Sequence, residues 1–199
     1  MLQYIIGGSN SFDIIETAKT ALFNGCQWIR LDISKLTADD CDKIIKKLQQ
    51  SCKNFEAILT VENDVDAVKR WKVDGVHLDF ANKASAIEVR KTLGEEPIIG
   101  ITIKDSSEVP FIPRTAADYV EIDVNVDDLA IHAAIVNQMK ETGLEEPVVA
   151  HFASIPSLSS LIQSGVNGIA LNSATVNPVE LKDLIHKLDM LNEDRLNAL

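Results

Sequence analysis

Eight short runs rich in branched aliphatic residues recur along this chain, each followed by a segment with helical spacing. The runs fall at 3–7, 27–33, 55–61, 73–79, 97–102, 119–123, 147–151 and 168–171. Helices are expected at 11–24, 37–51, 64–71, 84–93, 126–142, 156–164 and 178–192, and 104–115 must be short or broken because Pro110 and Pro113 lie inside it. Strands alternating with helices imply a parallel α/β sheet with right-handed crossovers. Eight such units favour a closed (β/α)8 TIM barrel over an open doubly wound sheet, and no G-x-G-x-x-G follows the first strand to argue otherwise. At 199 residues the chain is short for a fold that usually takes about 250 residues, so its loops must be minimal. No composition break marks a linker, and residues 1–199 are expected to form one domain.

Local signals agree with this layout. Ser11 is a candidate N-cap with Gly25 as the stop of its helix, and Thr37 with Asp40 fits a capping box. The hydrophobic share of 46% supports a substantial core. Nineteen basic against thirty acidic residues leave a net charge of −11, which argues against a nucleic-acid surface or an anionic membrane patch. A small phosphorylated ligand is still compatible, because a local site can oppose the global sign. Cys26, Cys41 and Cys52 are odd in number and form no C-x-x-C pair, so they are expected to be free thiols of a reducing compartment. With no basic leader and no apolar run of about 18 residues, the expected home is the cytoplasm.

Function is to be sought in four echoing stretches: Cys26 to Asp32, Val73 to Asp79, Ala117 to Asp123 and Val166 to Asn172. Asp74 and Gly75 are read as shaping the turn into their strand. In a closed barrel Ile29, Leu31, Val76, Leu78, Val120, Ile122, Ile169 and Leu171 would face the helices. The opposite face would then place Arg30, His77, Glu121 and Ala170 in one interior layer, with Asp32, Asp79, Asp123 and Asn172 above it at the carboxyl-terminal mouth. Buried Arg30 and Glu121 are expected to touch, with His77 oriented by a neighbouring acid. Three aspartates at one mouth would bind a cation, pair with lysine or share protons. Glu62, Asn63, Thr102, Lys104, His151 and Ser173 fall at other strand ends, where catalytic groups of this fold sit.

The chain resembles the thiamine phosphate synthase/TenI superfamily over nearly its whole length. Asp74-Gly75-Val76-His77-Leu78 is similar to the family's D-G-V-H-L-G-Q, and Trp28-Ile29-Arg30-Leu31-Asp32 to its Q-L-R-x-K. Gly100-Ile101-Thr102, Ala116 to Val120, Pro147 to Ala150, and Gly165 to Ala170 followed by Ser173-Ala174 match further strand motifs in order. The resemblance implies a (β/α)8 barrel. For the synthase branch it implies coupling of a pyrimidine-methyl pyrophosphate to a thiazole phosphate, with magnesium and release of pyrophosphate. Arg30, Thr102 and Ser173 would contact anions, Glu62, Asn63, His151, Ser154 and Asn172 would line the substrate site, and a homo-oligomer is left open.

The chain also departs from the family pattern. Asp32 stands where the family has lysine, a swing of several kcal/mol toward a phosphate oxygen at an effective dielectric of about 20. Glu62-Asn63 replaces N-D, Asn82 falls near a family aspartate, and Val124-Asn125-Val126-Asp127 replaces the loop after strand six. His151-Phe152-Ala153-Ser154 replaces a glycine turn. In the TenI branch, a thiazole tautomerase, the histidine after strand five corresponds to Lys104, a proton carrier if its pKa is lowered. Arg30, Asp32, His77, Thr102 and Lys104 are therefore the catalytic candidates. Asp32, Asp79 and Asp123, with Glu62, are candidate hard-oxygen ligands for magnesium or manganese on a different enzyme of the same fold. A barrel that has kept a ligand pocket or a partner surface and lost the chemistry is the third reading.

Overall fold

The structure, a computed structural model, describes residues 1–79, 81, 82, 85–123 and 129–197, without the side chains of Leu158 and residues 191–197. Eight parallel strands close in sequence order, with the first hydrogen-bonded to the last. They are β1 (Leu2–Gly7), β2 (Trp28–Asp32), β3 (Ile58–Glu62), β4 (Gly75–Leu78), β5 (Ile98–Ile103), β6 (Tyr119–Ile122), β7 (Val148–Phe152) and β8 (Gly168–Asn172). Around them run α1 (Ser11–Phe23), α2 (Ala38–Asn54), α3 (Val65–Trp71), α4 (Ala86–Leu93), α5 (Leu129–Glu141), α6 (Leu158–Ser164) and α7 (Leu181–Asn197). The crossover from β5 to β6 is a 3-10 helix, Ser106–Arg114, in which Pro110 and Pro113 deny the amides an α-helix would use. The barrel expected from the alternation is the one observed.

Helix and strand edges moved where local chemistry differed from the pattern. Asn10, not Ser11, caps α1: its Oδ1 accepts from the amides of Phe12 at 3.0 Å and Asp13 at 3.5 Å. Ser11 instead donates its hydroxyl to Asp40 at 3.3 Å. Thr37 caps α2 as expected, but Asp40 takes the Thr37 hydroxyl at 2.7 Å and not its backbone amide. The third strand begins at Ile58 because α2 continues to Asn54, so Phe55 is a helix C-cap and not a strand residue. The expected starts of two helices, at Ala84 and Val126, lie outside the described residues.

All eight outward-facing aliphatics named above are buried between barrel and helices. Inside the lumen Ile5, Trp28, Tyr119, Val149 and Ala170 form a separate apolar cluster, and Ile5 also lines the mouth cavity described below. Trp28 meets Tyr119 edge to face, with ring centroids 5.3 Å apart. Ala170 contributes its methyl group to this cluster. The three cysteines are buried and unpaired. Among the described residues no helix is long and apolar enough to cross a membrane.

A side chain locks three consecutive strand pairs. Asp74, ahead of β4, donates its amide to the Leu59 carbonyl at 2.9 Å and accepts the Leu59 amide on Oδ2 at 2.7 Å. Asp118 treats Ile99 the same way, at 2.7 Å for both bonds, and Asn167 treats Val148 so, at 2.8 Å for both. Arg90 of α4 holds Asp118 in place at 2.6 Å while donating to the carbonyls of Gly94 and Pro97, each at 2.9 Å. Asp74, just ahead of β4, therefore also clamps the neighbouring strand.

Candidate active site at the barrel mouth

A cavity of about 510 Å³ opens at the carboxyl-terminal mouth. Arg30, Asp32, Glu62, His77, Asp79, Thr102, Lys104, Asp123, His151 and Asn172 all line it. Its floor is the polar layer expected from the even strands. Arg30 reaches across the lumen to Glu121, Nη1 to Oε2 and Nη2 to Oε1, the latter at 3.2 Å. The expected Arg30–Glu121 contact is thus present and bidentate. The same guanidinium donates to Glu62 at 3.0 Å and to Gln3 at 3.2 Å, so odd strands contribute to the layer as well.

These contacts settle the charges. Burial opposes the Arg30 charge, but Glu121 and Glu62 outweigh it and hold the guanidinium firmly protonated. Burial would raise the Glu121 carboxyl, yet Arg30 brings it down to about 2. Glu62 is raised above the ordinary carboxylate range by burial, with Asp32 and Glu121 adding to the effect and Arg30 only partly offsetting it. The Arg30 charge is shared between two carboxylates, and its side chain is 3% exposed on the cavity floor.

His77 sits between two hydroxyls. Nδ1 is 2.8 Å from Tyr119 Oη and Nε2 is 2.8 Å from Thr102 Oγ1, while Glu121 Oε1 stands 3.7 Å from Nε2. A neighbouring acid was expected to orient this ring; hydroxyls do so, because Glu121 turns its carboxylate onto Arg30. Burial, with Arg30 adding repulsion, pushes the His77 pKa down to about 3, so the ring is neutral. Tyr119 crosses the lumen to reach it because Gly100 leaves room: a Cβ there would lie 2.1 Å from Tyr119 Cζ.

The upper ring of carboxylates resolves into separate local arrangements. Asp32 Oδ1 accepts the Ser34 amide at 2.9 Å. Asp79 accepts from Asn63 Nδ2 at 3.0 Å, and from the amide and side chain of Asn82 at 3.0 and 2.9 Å, and does not touch His77. Asp123 lies 3.6 Å from His151 Nδ1. That contact lowers the Asp123 pKa; burial opposes the His151 charge, but Asp123 and Glu121 outweigh it and raise the imidazole pKa. A magnesium site built by the protein would need several hard oxygens converging on one point. Among the described residues no group of three or more His, Cys, Asp or Glu is placed to hold a metal ion, so the residues present do not fit an all-protein site.

Asn63, Ser154 and Ser173 are not on the cavity wall. Asn63 closes the rim between β3 and β4 through its bonds to Asp79, and the Ser173 amide is tied to the Ile5 carbonyl at 2.8 Å. The substitute loop at 124–127 lies outside the described residues. Three contributors went unread in the sequence. Gln3 is the single polar residue within the β1 run, and Tyr119 is two positions before Glu121 on the same face; the strand period points to both. Lys35 lines the cavity from the loop after β2, where no periodicity marks it.

Known proteins share this architecture. The family described as "Thiamine monophosphate synthase" matches residues 3–124, a stretch that includes Arg30, Glu62, His77, Thr102 and Glu121. A thiamine-phosphate synthase of Bacteroides fragilis is 32% identical over 194 residues, covering 90% of this chain and 95% of the relative. One from Bacteroides thetaiotaomicron is 34% identical over 184 residues, covering 86% and 87%. Among solved structures, a thiamine phosphate pyrophosphorylase from Pyrococcus furiosus matches with a TM-score of 0.78 at 25% identity, covering 94% of this chain and 95% of its own.

Proposed function

We propose that this chain, which belongs to the thiamine monophosphate synthase family, works in thiamine biosynthesis by joining a pyrimidine-methyl pyrophosphate to a thiazole phosphate at its barrel mouth, with release of pyrophosphate. The observation that carries the reading is the mouth cavity of about 510 Å³, walled by polar strand ends, in a chain similar along 90% of its length to a thiamine-phosphate synthase. The cytoplasm, where three unpaired thiols stay reduced, is its proposed compartment.

Roles follow from charge and from position on the cavity wall. Arg30 and Glu121 neutralise each other and build the floor. Phosphate oxygens then fall to Lys35 and Lys104, the lysines on the cavity wall, while Asp32 turns the anionic end of the ligand away from β2. Thr102 and Asn172 supply hydrogen bonds to the ligand. The Asp123–His151 pair is a proton reservoir beside it. The described carboxylates form no cage for magnesium.

Calorimetry with each precursor, followed by chromatography of a mixture containing both and magnesium, tests the reading. Product should form, and Lys35→Ala and Lys104→Ala should each raise KM for a phosphorylated substrate about tenfold, as expected for one charge-assisted hydrogen bond. No product together with no binding of either compound rejects the reading.

A further inference from the structure

The floor of the cavity is a chain of hydrogen bonds whose direction can be worked out. Arg30 can only donate, and it already takes one of the two lone pairs of Gln3 Oε1 at 3.2 Å. Tyr119 has one proton and two acceptors in range: Gln3 Oε1 at 3.4 Å and His77 Nδ1 at 2.8 Å. The shorter bond, to the acceptor without a rival donor, takes the proton. Nδ1 of the neutral ring is then the bare nitrogen, and the ring proton is on Nε2.

A second observation reaches the same tautomer from the other side of the ring. Glu121 Oε1 is 3.7 Å from Nε2, so its negative charge favours a proton there and disfavours a lone pair. Nε2–H therefore donates to Thr102 Oγ1 across 2.8 Å. A hydroxyl that accepts from His77 keeps its own proton to give away, and Thr102 faces the cavity.

We propose that Tyr119 and His77 are positioning residues that fix Thr102 as a hydrogen-bond donor into the cavity, so that this point of the wall selects an acceptor atom on the ligand. A ligand offering a donor there would meet a donor. The acceptor is a phosphate oxygen or an aromatic ring nitrogen; both present a lone pair, and inorganic pyrophosphate, which carries only the first, separates them. This rests on the reading of the cavity as the ligand site, but the tautomer does not depend on which ligand binds.

The test has two independent arms. In the first, long-range 1H–15N correlation spectra of the protein labelled with 15N-histidine, assigned through the backbone, report the His77 tautomer. Nε2–H supports the relay, and Nδ1–H overturns it. In the second, Thr102→Val should weaken the thiazole phosphate or the pyrimidine pyrophosphate about tenfold by calorimetry, Thr102→Ser should restore it, and a matching loss for inorganic pyrophosphate identifies a phosphate oxygen while an unchanged pyrophosphate affinity identifies a ring nitrogen. Equal affinity of the valine variant for both overturns the donor role. Tyr119→Phe should release part of the His77 population to Nδ1–H and weaken the same ligand; a variant with an unchanged tautomer and unchanged binding shows Tyr119 to be only structural. If neither precursor binds the unmodified protein, the proposed function fails while the spectra still decide the relay.

Discussion

Glu121→Gln is the sharpest perturbation the structure offers, since it removes one charge from a pair whose two side chains are each 3% exposed. Removing one partner of a buried pair costs about 3–5 kcal/mol when the other charge is left uncompensated. Here compensation is partial. Glu62 remains 3.0 Å from Arg30 Nε with a side chain 22% exposed, and the new amide oxygen still accepts one N–H. The expected loss at pH 7 is therefore about 2–3 kcal/mol, or a fall in Tm of roughly 5–10 °C for a chain of this size. Urea unfolding followed by circular dichroism measures it as a shift in midpoint at constant slope. Replacing both partners, as Arg30→Met with Glu121→Leu, should recover more than about 1 kcal/mol of that loss, because no buried charge on Arg30 or Glu121 then remains to be desolvated. The acid limb supplies a second readout. Glu121 moves from 4.5 down to about 2 in the fold, so its contribution is present above pH 4.5 and is lost as pH falls toward 2; the glutamine variant should lack that component. A loss under about 1 kcal/mol at pH 7, with the acid limb unchanged, would refute the claim that Arg30 depends on Glu121.

Two histidines should pull stability in opposite directions with pH. His77 falls from 6.5 to about 3 in the fold, so the unfolded chain takes up the proton first and stability declines as pH drops from 6.5 toward 3. His151 is raised by Asp123, so its contribution is full below 6.5 and lost as pH rises through its folded pKa. His151→Asn should remove the alkaline loss and leave the acid one; denaturant midpoints from pH 4 to pH 9 would show a different pattern if either assignment is wrong. Gly100→Ala should cost about 1–3 kcal/mol by overpacking, because the new Cβ meets the Tyr119 ring at 2.1 Å, and an unchanged Tm would sink that account.

The features legible in the sequence were those with a period. Strand alternation placed Ile29, Val76, Val120 and Ile169 against the helices and Arg30 opposite Glu121, and the structure agrees. Two opposite charges in a dry layer have few partners, so their meeting follows from burial alone. What failed was local competition. Asp32 and Asp79 satisfy themselves on turn amides and on Asn63 and Asn82, contacts set by loop geometry and not by period. Tyr119 meets Gln3 across 116 positions, a pairing that the period of either strand alone does not specify. Asn10 displaced Ser11 as a cap because an Asx side chain one residue earlier reaches two amides, a choice that composition cannot rank.

The three Asx clamps have a consequence for the order of assembly. They join residues 15, 19 and 19 positions apart, whereas the seam that ties Met1 to Asn167 spans 166. Closing the seam costs about 2 kcal/mol more in chain entropy than closing a clamp, by the logarithmic dependence on loop length. The parallel pairs β3–β4, β5–β6 and β7–β8 are therefore self-registering strand–crossover–strand modules that close cheaply, and the pairing of β1 with β8 is the costly one. Arg30 of β2 reaches Glu121 of β6 across the lumen, a contact that an open sheet cannot make, so the charge pair on the cavity floor depends on the closure that turns the sheet into a barrel.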